Sequence, residues 1–373
     1  MLINQLRLAA TAAALLWGTR AVAQGSTLPG TAIVPGEADR TTRVGTRGGN
    51  FLHIGVGARP QALAGVGVAM IDGPNALFLN PANVATTEGI GVFVSHMQMY
   101  GNSGISNTAG AVSVAFGQGA IGIGVQHFTS GDIDRTTENS PDGNDPVFPG
   151  TFAWTGTAAS LHYARNVTDR LTAAIGARYA QEGIDFAHNS YFGADVSTRF
   201  RTGLYGLTVG ASIMNIGGTN GFSGPAIGQA IREPRYNGQP TGRDIPIQFD
   251  TREAQMPTTF NFGVMSSLFG DAEALLGQNA VHSLTAEVDF KDAIDTDLQT
   301  AVGLEYSFKR FAFARVGKRF FNEQNAPWNF ADGMAFGGGL RLPVLGRRLS
   351  LDYGYVIMGD LRNNQVLSFQ IGS

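Results

Sequence analysis

Apolar side chains alternate with small or polar ones in fourteen short segments of this chain, from Ile90 to the C-terminal residues. In Arg348–Ile357, leucine and tyrosine at odd positions oppose serine, aspartate and glycine at even positions. A period of two indicates a β-strand, because successive side chains point to opposite faces. The predicted strands are Ile90–Met99, Ala111–Phe116, Ala120–Phe128, Phe152–Arg165, Leu171–Gly183, Ser190–Phe200, Leu204–Asn215, Pro257–Phe269, Val281–Phe290, Asp297–Phe308, Phe311–Phe320, Gly333–Leu342, Arg348–Ile357 and Asn364–Ile371.

The connections between these segments alternate between short and long. Short turns are predicted at Gly117–Gly119, Asn166–Arg170, Arg201–Gly203, Lys309–Arg310 and Pro343–Arg347, and long loops at Thr129–Thr151, Ile216–Met256 and Asn322–Asp332. Two connections, Gly270–Ala280 and Lys291–Thr296, do not fit this alternation. Bacterial outer-membrane barrels have short periplasmic turns and longer outer loops. The pattern therefore predicts an all-β fold, a transmembrane antiparallel β-barrel of about fourteen strands with both termini in the periplasm.

A soluble β-sandwich or propeller would also alternate, so composition has to separate the alternatives. Glycine supplies 51 of the 373 residues and charged residues only 15%, whereas soluble globular proteins average about 7% and about 25%. A soluble sheet would carry more lysine and glutamate on its water-facing side, and here the second face is small or weakly polar. The composition favours a membrane barrel with a polar interior. The net charge of −3 lacks the positive excess that is typical of nucleic-acid-binding proteins.

The N-terminal residues predict secretion. Arg7 precedes a short apolar run, and Ala21–Ala23 has a signal-peptide cleavage pattern, so residues 1–23 are expected to be removed. We expect residues 24–49 to form a flexible periplasmic segment and residues 89–373 to form the barrel. Residues 50–88 differ from both, because they are rich in glycine and alanine and carry helix-start signals at Pro60 and Asn80. Such a segment is suited to packing inside a lumen.

Several blocks of the chain resemble the PorV/PorQ family, which belongs to the FadL-like superfamily of long-chain fatty acid transporters. The blocks are Phe51–Arg59, Ala69–Ala82, Gly210–Gly217, Met256–Phe260 and Gly303–Tyr306, the last leading to Arg315–Gly317. The resemblance runs from Phe51 to the C-terminal residues, and its opening blocks are the specific ones. The chain departs from the family at Gly65–Gly67, where a Met-Gly pair is usual.

The resemblance implies a fourteen-stranded outer-membrane barrel whose lumen is plugged by residues 50–88, called the hatch in this superfamily. The hatch motif would comprise Asn80, Pro81 and Ala82, together with Arg59. In the PorV branch the barrel serves type IX secretion, so its partners would be secreted cargo proteins and secretion-system components. The alternative function is that of the superfamily's transporters, in which this region controls passage of hydrophobic small molecules. In either case outer-membrane lipid surrounds the wall.

Two groups of side chains are candidates for contact with a ligand or with the hatch. The apolar candidates could line a pocket or could pack the hatch against the wall; they are Phe51, Leu52, Leu63, Leu77 and Phe78. The acidic candidates fall on the predicted lumen face, where they either tune selectivity or pair with cations that hold the hatch. They are Glu287, Asp289 and Glu305, with Arg178 and Arg315 as candidate cations.

The sequence offers no catalytic, metal-binding or cofactor-binding pattern. The six histidines have no zinc-site spacing, and Gly55–Gly57 does not continue into a dinucleotide-binding loop. His282 and Ser283 cannot act together on one strand, because neighbouring side chains face opposite sides. The chain contains no cysteine, which excludes disulfides and thiolate metal sites. We therefore expect a barrel that is not an enzyme and that needs no cofactor.

Overall fold

The structure is a computed structural model that describes residues 45–146, 149–232, 244–296, 298–320, 329–344 and 346–372. Fourteen antiparallel strands form one closed barrel, in which each strand pairs with its neighbours in sequence and the last pairs with the first. The barrel strands are β1 (Ile90–Gln98), β2 (Ser106–Phe116), β3 (Gly119–Thr129), β4 (Trp154–Asn166), β5 (Leu171–Ile184), β6 (Ala187–Arg201), β7 (Leu207–Gly217), β8 (Thr259–Phe269), β9 (His282–Ala293), β10 (Gln299–Phe308), β11 (Ala312–Phe320), β12 (Met334–Val344), β13 (Arg347–Ile357) and β14 (Asn363–Ile371). The predicted fold class and strand number are confirmed.

The connections define two different ends of the barrel. The links after β2, β4, β6, β8, β10 and β12 lie at one end, here called the turn end. The other links, including the long connection of residues 218–258, lie at the loop end. Short strand pairs join Ile133–Asp134 to Thr151–Phe152, Thr219–Asn220 to Ala254–Gln255, and Gly228–Arg232 to Asp244–Gln248, and short 3₁₀ turns form at Pro225–Ile227 and Gly359–Leu361.

Several strand boundaries differ from the prediction by two or more residues, and two of them have a clear local reason. β2 begins at Ser106 rather than at Ala111, because residues 106–110 carry small or polar side chains on both faces and so give no apolar alternation. β4 begins at Trp154, and Phe152 instead pairs with Ile133 in the preceding loop. Local sequence patterns therefore located the strands better than their ends.

The barrel wall is apolar outside and polar inside. Ile123, Ile175 and Phe192 are exposed on the outer face, whereas Ser113 and Asp195 are buried on the inner face. This reverses the arrangement of a water-soluble protein and matches a wall surrounded by hydrocarbon. Among the helices of the described residues, none is long and apolar enough to cross a membrane.

Residues 50–88, here called the inner segment, lie inside the wall and cross the barrel lengthwise. The segment contains α1 (Ala58–Ala62) and 3₁₀ turns at Asn50–His53, Gly73–Phe78 and Pro81–Thr86. Near the loop end, the carbonyl of Phe51 accepts a hydrogen bond from Gln126 of β3 at 3.2 Å. Near the turn end, the hydroxyls of Thr87 and Ser113 of β2 lie 2.8 Å apart. The hydrophobic clusters form between this segment and small inward side chains of the wall.

The wall approaches the inner segment closely where it presents glycine. A Cβ atom placed on Gly317 of β11 would lie 2.2 Å from the carbonyl carbon of Leu63. Only a residue without a side chain fits there, since atoms this close overlap. Glycine therefore contributes to the lumen by making room for the inner segment.

Residues 45–49 lie at the loop end, whereas the barrel strands begin and finish at the turn end; the periplasmic location of residues 24–49 stays a prediction. The amide of Gly48 donates to the carbonyl of Gln255, in the connection between β7 and β8, at 3.0 Å. An even strand number does bring Ile90 and Ile371 to the same end. The inner segment crosses the lumen before β1 begins, so residues 45–49 lie at the end opposite to Ile90. The predicted signal peptide and residues 24–44 lie outside the described residues.

Candidate functional site

A cavity of about 270 Å³ lies between the inner segment and the loop end of the wall. Its floor is formed by the inner segment, and its sides by the loop-end residues of the strands. The apolar lining residues are Leu52, Ile54, Val56, Pro60, Ala64, Val68, Phe78, Leu79, Met97, Met99, Met214, Phe290, Ala301, Val356 and Met358. Polar and charged side chains, among them Gln126, Asn261 and Asp289, complete the lining, so the cavity presents a mainly apolar surface with several polar groups.

Methionine is unusually prominent in this lining. Four of the nine methionines of the chain contribute, namely Met97, Met99, Met214 and Met358. Methionine has a flexible, polarisable thioether that adapts to ligands of different shape. The sequence analysis did not identify these residues, although each lies within a few positions of the loop end of a strand. Met97 and Met214 alternate with outward residues, a position that marks them as inward-facing.

The predicted apolar candidates divide into two groups in the structure. Leu52 and Phe78 line the cavity. Phe51, Leu63 and Leu77 are fully buried and pack the inner segment against the wall. Sequence alone could not separate the groups, because both consist of large apolar residues in a glycine-rich segment.

Polar side chains of the wall bind the floor of the cavity through its main chain. The ammonium group of Lys291 on β9 donates to the carbonyl of His53 at 3.1 Å. The guanidinium group of Arg319 on β11 donates twice to the carbonyl of Ala64, at 3.2 and 3.0 Å. Both cations also border the cavity. They therefore hold the floor in place while presenting positive charge to the cavity.

A histidine–aspartate pair joins the inner segment to the loop between β9 and β10. Nε2 of His53 lies 3.0 Å from Oδ1 of Asp295, which is almost completely buried. Burial raises the pKa of the Asp295 carboxyl, but the hydrogen bond and the positive charge of His53 outweigh it, so that this pKa lies below its ordinary value. The pair connects the start of the inner segment to the rim of the barrel.

Two of the predicted acidic residues hold three consecutive amides of the inner segment. Oδ2 of Asp289 accepts from the amides of Gly67 and Val68, at 2.7 and 3.1 Å. Oε1 of Glu287 accepts from the amide of Ala69 at 2.6 Å. Glu287 is fully buried, and Asp289 also borders the cavity. These carboxylates supply hydrogen-bond acceptors for amides of an irregular, buried main chain that would otherwise have none.

The third predicted acidic residue, Glu305, joins α1 to the wall through a buried ion-pair network. Arg59 of α1 donates to both carboxylate oxygens of Glu305, at 2.9 and 2.8 Å. Arg315 of β11 donates to Glu305 at 2.6 Å and to Asp352 at 2.7 Å. Arg59 also lies 3.3 Å from Asp72 in its own segment. A two-point guanidinium–carboxylate contact fixes direction as well as distance, so it anchors the helix to one place on the wall.

The Asn80-Pro81-Ala82 motif forms a helix start that is fastened to the wall. Oδ1 of Asn80 accepts from the amide of Ala82 at 3.2 Å, and Pro81 occupies the first position of the 3₁₀ turn. Nδ2 of Asn80 donates to the carbonyls of Val68 at 2.8 Å and Thr198 at 3.1 Å. The motif thus connects two parts of the inner segment with β6.

Arg178 borders the cavity but does not bind the inner segment. It donates to Asp195 at 2.8 Å, and His162 lies 2.8 Å from the same carboxylate oxygen. All three residues belong to wall strands, so this cluster stabilises the wall itself. The inner segment is fastened by other groups around the circumference, from β2 to β14. The arrangement thus places the cavity above a floor that is fastened to the wall on several sides.

No family model matches the sequence, and no curated protein matches it either. Solved structures do resemble the fold. The toluene transporter TbuX of Ralstonia pickettii is 12% identical with a TM-score of 0.51, over 85% of this chain and 98% of TbuX. The toluene transporter TodX of Pseudomonas putida is 12% identical with a TM-score of 0.50, over 85% of this chain and 96% of TodX. A FadL homologue of Pseudomonas aeruginosa, 11% identical, has a TM-score of 0.49 over 85% of this chain and 98% of its own.

At this level of identity, the likeness to TbuX and TodX establishes the fold alone. That fold is the barrel which the sequence resemblance implies. The narrower PorV/PorQ assignment is not supported by any of these matches and stays a prediction.

Proposed function

We propose that this protein is an outer-membrane barrel that takes up hydrophobic small molecules from the loop side. The loop-end cavity is the observation that carries the proposal, because its apolar lining and enclosed floor suit a ligand that water excludes. The outward apolar face of the wall supports a membrane location. The likeness of the fold to two proteins described as toluene transporters supports the same class of solute.

The size of the cavity sets a limit on the ligand. A volume of about 270 Å³ lies near the lower end of small-molecule pockets, which start at roughly 300 Å³. An apolar cavity of about 150 Å³ already accepts benzene in another protein. A single aromatic ring with short substituents therefore fits, and the methionine lining would tolerate several such ligands.

We also propose that the inner segment is the hatch that controls passage. It separates the cavity from the turn end and is held by side-chain hydrogen bonds and ion pairs rather than by strand pairing. Contacts of this kind can be exchanged one at a time, whereas opening the wall would break a continuous ladder of main-chain hydrogen bonds. A ligand that reaches the cavity would therefore continue only after part of the inner segment moves.

The secretion function implied by the PorV/PorQ resemblance remains an alternative prediction. It concerns cargo proteins and secretion components, and it requires a partner surface at the loops rather than a ligand cavity. The cavity gives the transport function a specific structural basis, so transport is the function proposed here.

The test is uptake of radiolabelled toluene by intact cells that carry the protein in the outer membrane. The variant Met214→Trp would fill the cavity from β7 and is expected to abolish the protein-dependent part of uptake. Met334→Trp is the matched control, since Met334 does not line the cavity. Equal uptake by the wild-type protein and Met214→Trp, at equal amounts in the membrane, would contradict the proposed site. Uptake no faster than in cells without the protein would contradict the function.

A further inference from the structure

The chain enters the barrel through a narrow opening at the loop end. Residues 45–49, here called the N-terminal arm, run from solvent into the lumen: Gly45 and Thr46 are exposed, Arg47 is half-buried, and Gly48 and Gly49 are buried. A Cβ atom on Gly48 would lie 1.8 Å from the hydroxyl of Tyr191 on β6. The arm therefore passes so close to the inner face of the wall that only glycine fits.

The arm is bound on its other side by the long connection between β7 and β8. Arg47 and Gln255 form a parallel bridge, and their side chains are hydrogen-bonded to each other. The amide of Gly48 donates to the carbonyl of Gln255 at 3.0 Å. Gln255 itself belongs to the strand pair of Ala254–Gln255 with Thr219–Asn220, which continues β7 and β8 beyond the barrel rim. The arm thus adds a main-chain neighbour to a loop sheet.

The inner segment then leads from the loop end to the turn end, although Ala64 and Phe78 still border the cavity on the way. After Leu52 at the cavity, Arg59 is held by Glu305 and Asn80 by Thr198, and Thr87 meets Ser113 near the turn end. The direction of the chain through the lumen is therefore fixed by contacts along its whole length, from loop end to turn end.

We propose that the N-terminal arm is part of the loop surface and that it faces the cell exterior. Its position at the loop end follows from the contacts described above. Its location outside the cell rests on the proposed function, in which the loop end faces outward. The arm then lies on the outer side of the membrane beside the sheet around Gln255, a few residues before Leu52 of the cavity.

Single-cysteine labelling tests the proposal on the full-length protein, which contains no cysteine of its own. Gly45→Cys probes the arm, Gly150→Cys the loop end and Gly117→Cys the turn end. The three positions are matched, because each is an exposed glycine with positive φ, at 73°, 100° and 60°, and a Cβ there meets no atom within 4 Å. Intact cells and cells with a permeabilised outer membrane are treated with a membrane-impermeant maleimide, and folding is checked by the heat-dependent mobility of the barrel on gels.

We expect Gly45→Cys and Gly150→Cys to be labelled in intact cells, and Gly117→Cys only after permeabilisation. Labelling of Gly45→Cys that follows Gly117→Cys would overturn the proposal. Failure of Gly45→Cys to react even in permeabilised cells, while the other two react, would overturn it as well. If Gly117→Cys alone reacts in intact cells, the membrane orientation is inverted and the exterior location is overturned, whereas toluene uptake is measured separately and tests the proposed function.

Discussion

Replacing Glu305 by glutamine should release α1 from the wall while leaving the barrel closed. The substitution keeps the shape of the side chain but removes the charge that binds two arginines. Arg315 retains Asp352 at 2.7 Å. Arg59 retains only Asp72, at 3.3 Å and with a side chain that is 48% exposed. The loss therefore falls mainly on the contact that joins the inner segment to the wall.

The free-energy cost of Glu305→Gln follows from the burial of the contact between Arg59 and Glu305. The side chains of Arg59 and Glu305 are 13% and 8% exposed, so water screens the pair only slightly. Removing one partner of a buried ion pair costs about 3–5 kcal/mol, because the other charge stays buried without compensation. At about 1.4 kcal/mol for each factor of ten, local opening of the inner segment should become roughly 10²- to 4 × 10³-fold more frequent.

Hydrogen exchange of the amides in residues 58–69, followed by mass spectrometry on the purified barrel, measures this opening. Asp195→Asn is the matched control, because Asp195 is equally buried and pairs with Arg178 and His162 within the wall. We expect Glu305→Gln to accelerate exchange in residues 58–69 and Asp195→Asn to leave it unchanged. Wild-type exchange rates in Glu305→Gln, or equal acceleration in both variants, would refute the argument that Glu305 anchors the segment.

Three further predictions concern other parts of the molecule. Asn80→Ala should cost roughly 1–3 kcal/mol, because it removes a helix cap and two hydrogen bonds to main-chain carbonyls; exchange of the amides of residues 82–84 would show the loss. Gly317→Ala should disrupt packing of the inner segment, since the new Cβ would lie 2.2 Å from the main chain of that segment. Gly338→Ala should leave the packing intact, because the atom nearest to its new Cβ lies at 3.4 Å. The yield of heat-modifiable barrel is measured for both variants. Finally, the hydrogen bond from Arg135 lowers the pKa of Asp185, which lies between β5 and β6. The contact between these two side chains is therefore fully present above the ordinary aspartate pKa of about 4. It is lost as the pH falls through the lower pKa of the folded state. Asp185→Asn should abolish that pH dependence, as read from proteolysis of the loops.

The wall could be predicted from sequence because its signal is local. Alternation in β13 and the length of each connection identify strands and ends without knowledge of any distant residue. The start of β2 was missed, since Thr108 and its neighbours are polar or small on both faces and their pairing is decided by β1 and β3. The strand order then followed from the antiparallel, sequential topology.

The candidate site was harder to predict, because it depends on contacts between distant parts of the chain. The acidic side chains of Glu287 and Asp289 could be assigned to the lumen by alternation alone. Their hydrogen bonds to the amides of residues 67–69 could not be predicted, since no local pattern links residues more than 200 positions apart. The cavity-lining methionines were missed for the same reason: Met97 and Met214 become neighbours of one space only when the barrel closes.

The lengthwise course of the inner segment also limits the order in which the protein can fold. Its contact with β9 joins Gly67 to Asp289 across 222 positions, and such long-range contacts form slowly because closing the intervening chain costs entropy. The closed ring of strands leaves no gap in its main-chain hydrogen bonds, and the ring is completed only when β14 meets β1. The segment precedes every strand in synthesis, so the simplest sequence of events has the wall assemble around a chain already in place. A barrel that closed first would have to admit thirty-nine residues (50–88) through its mouth.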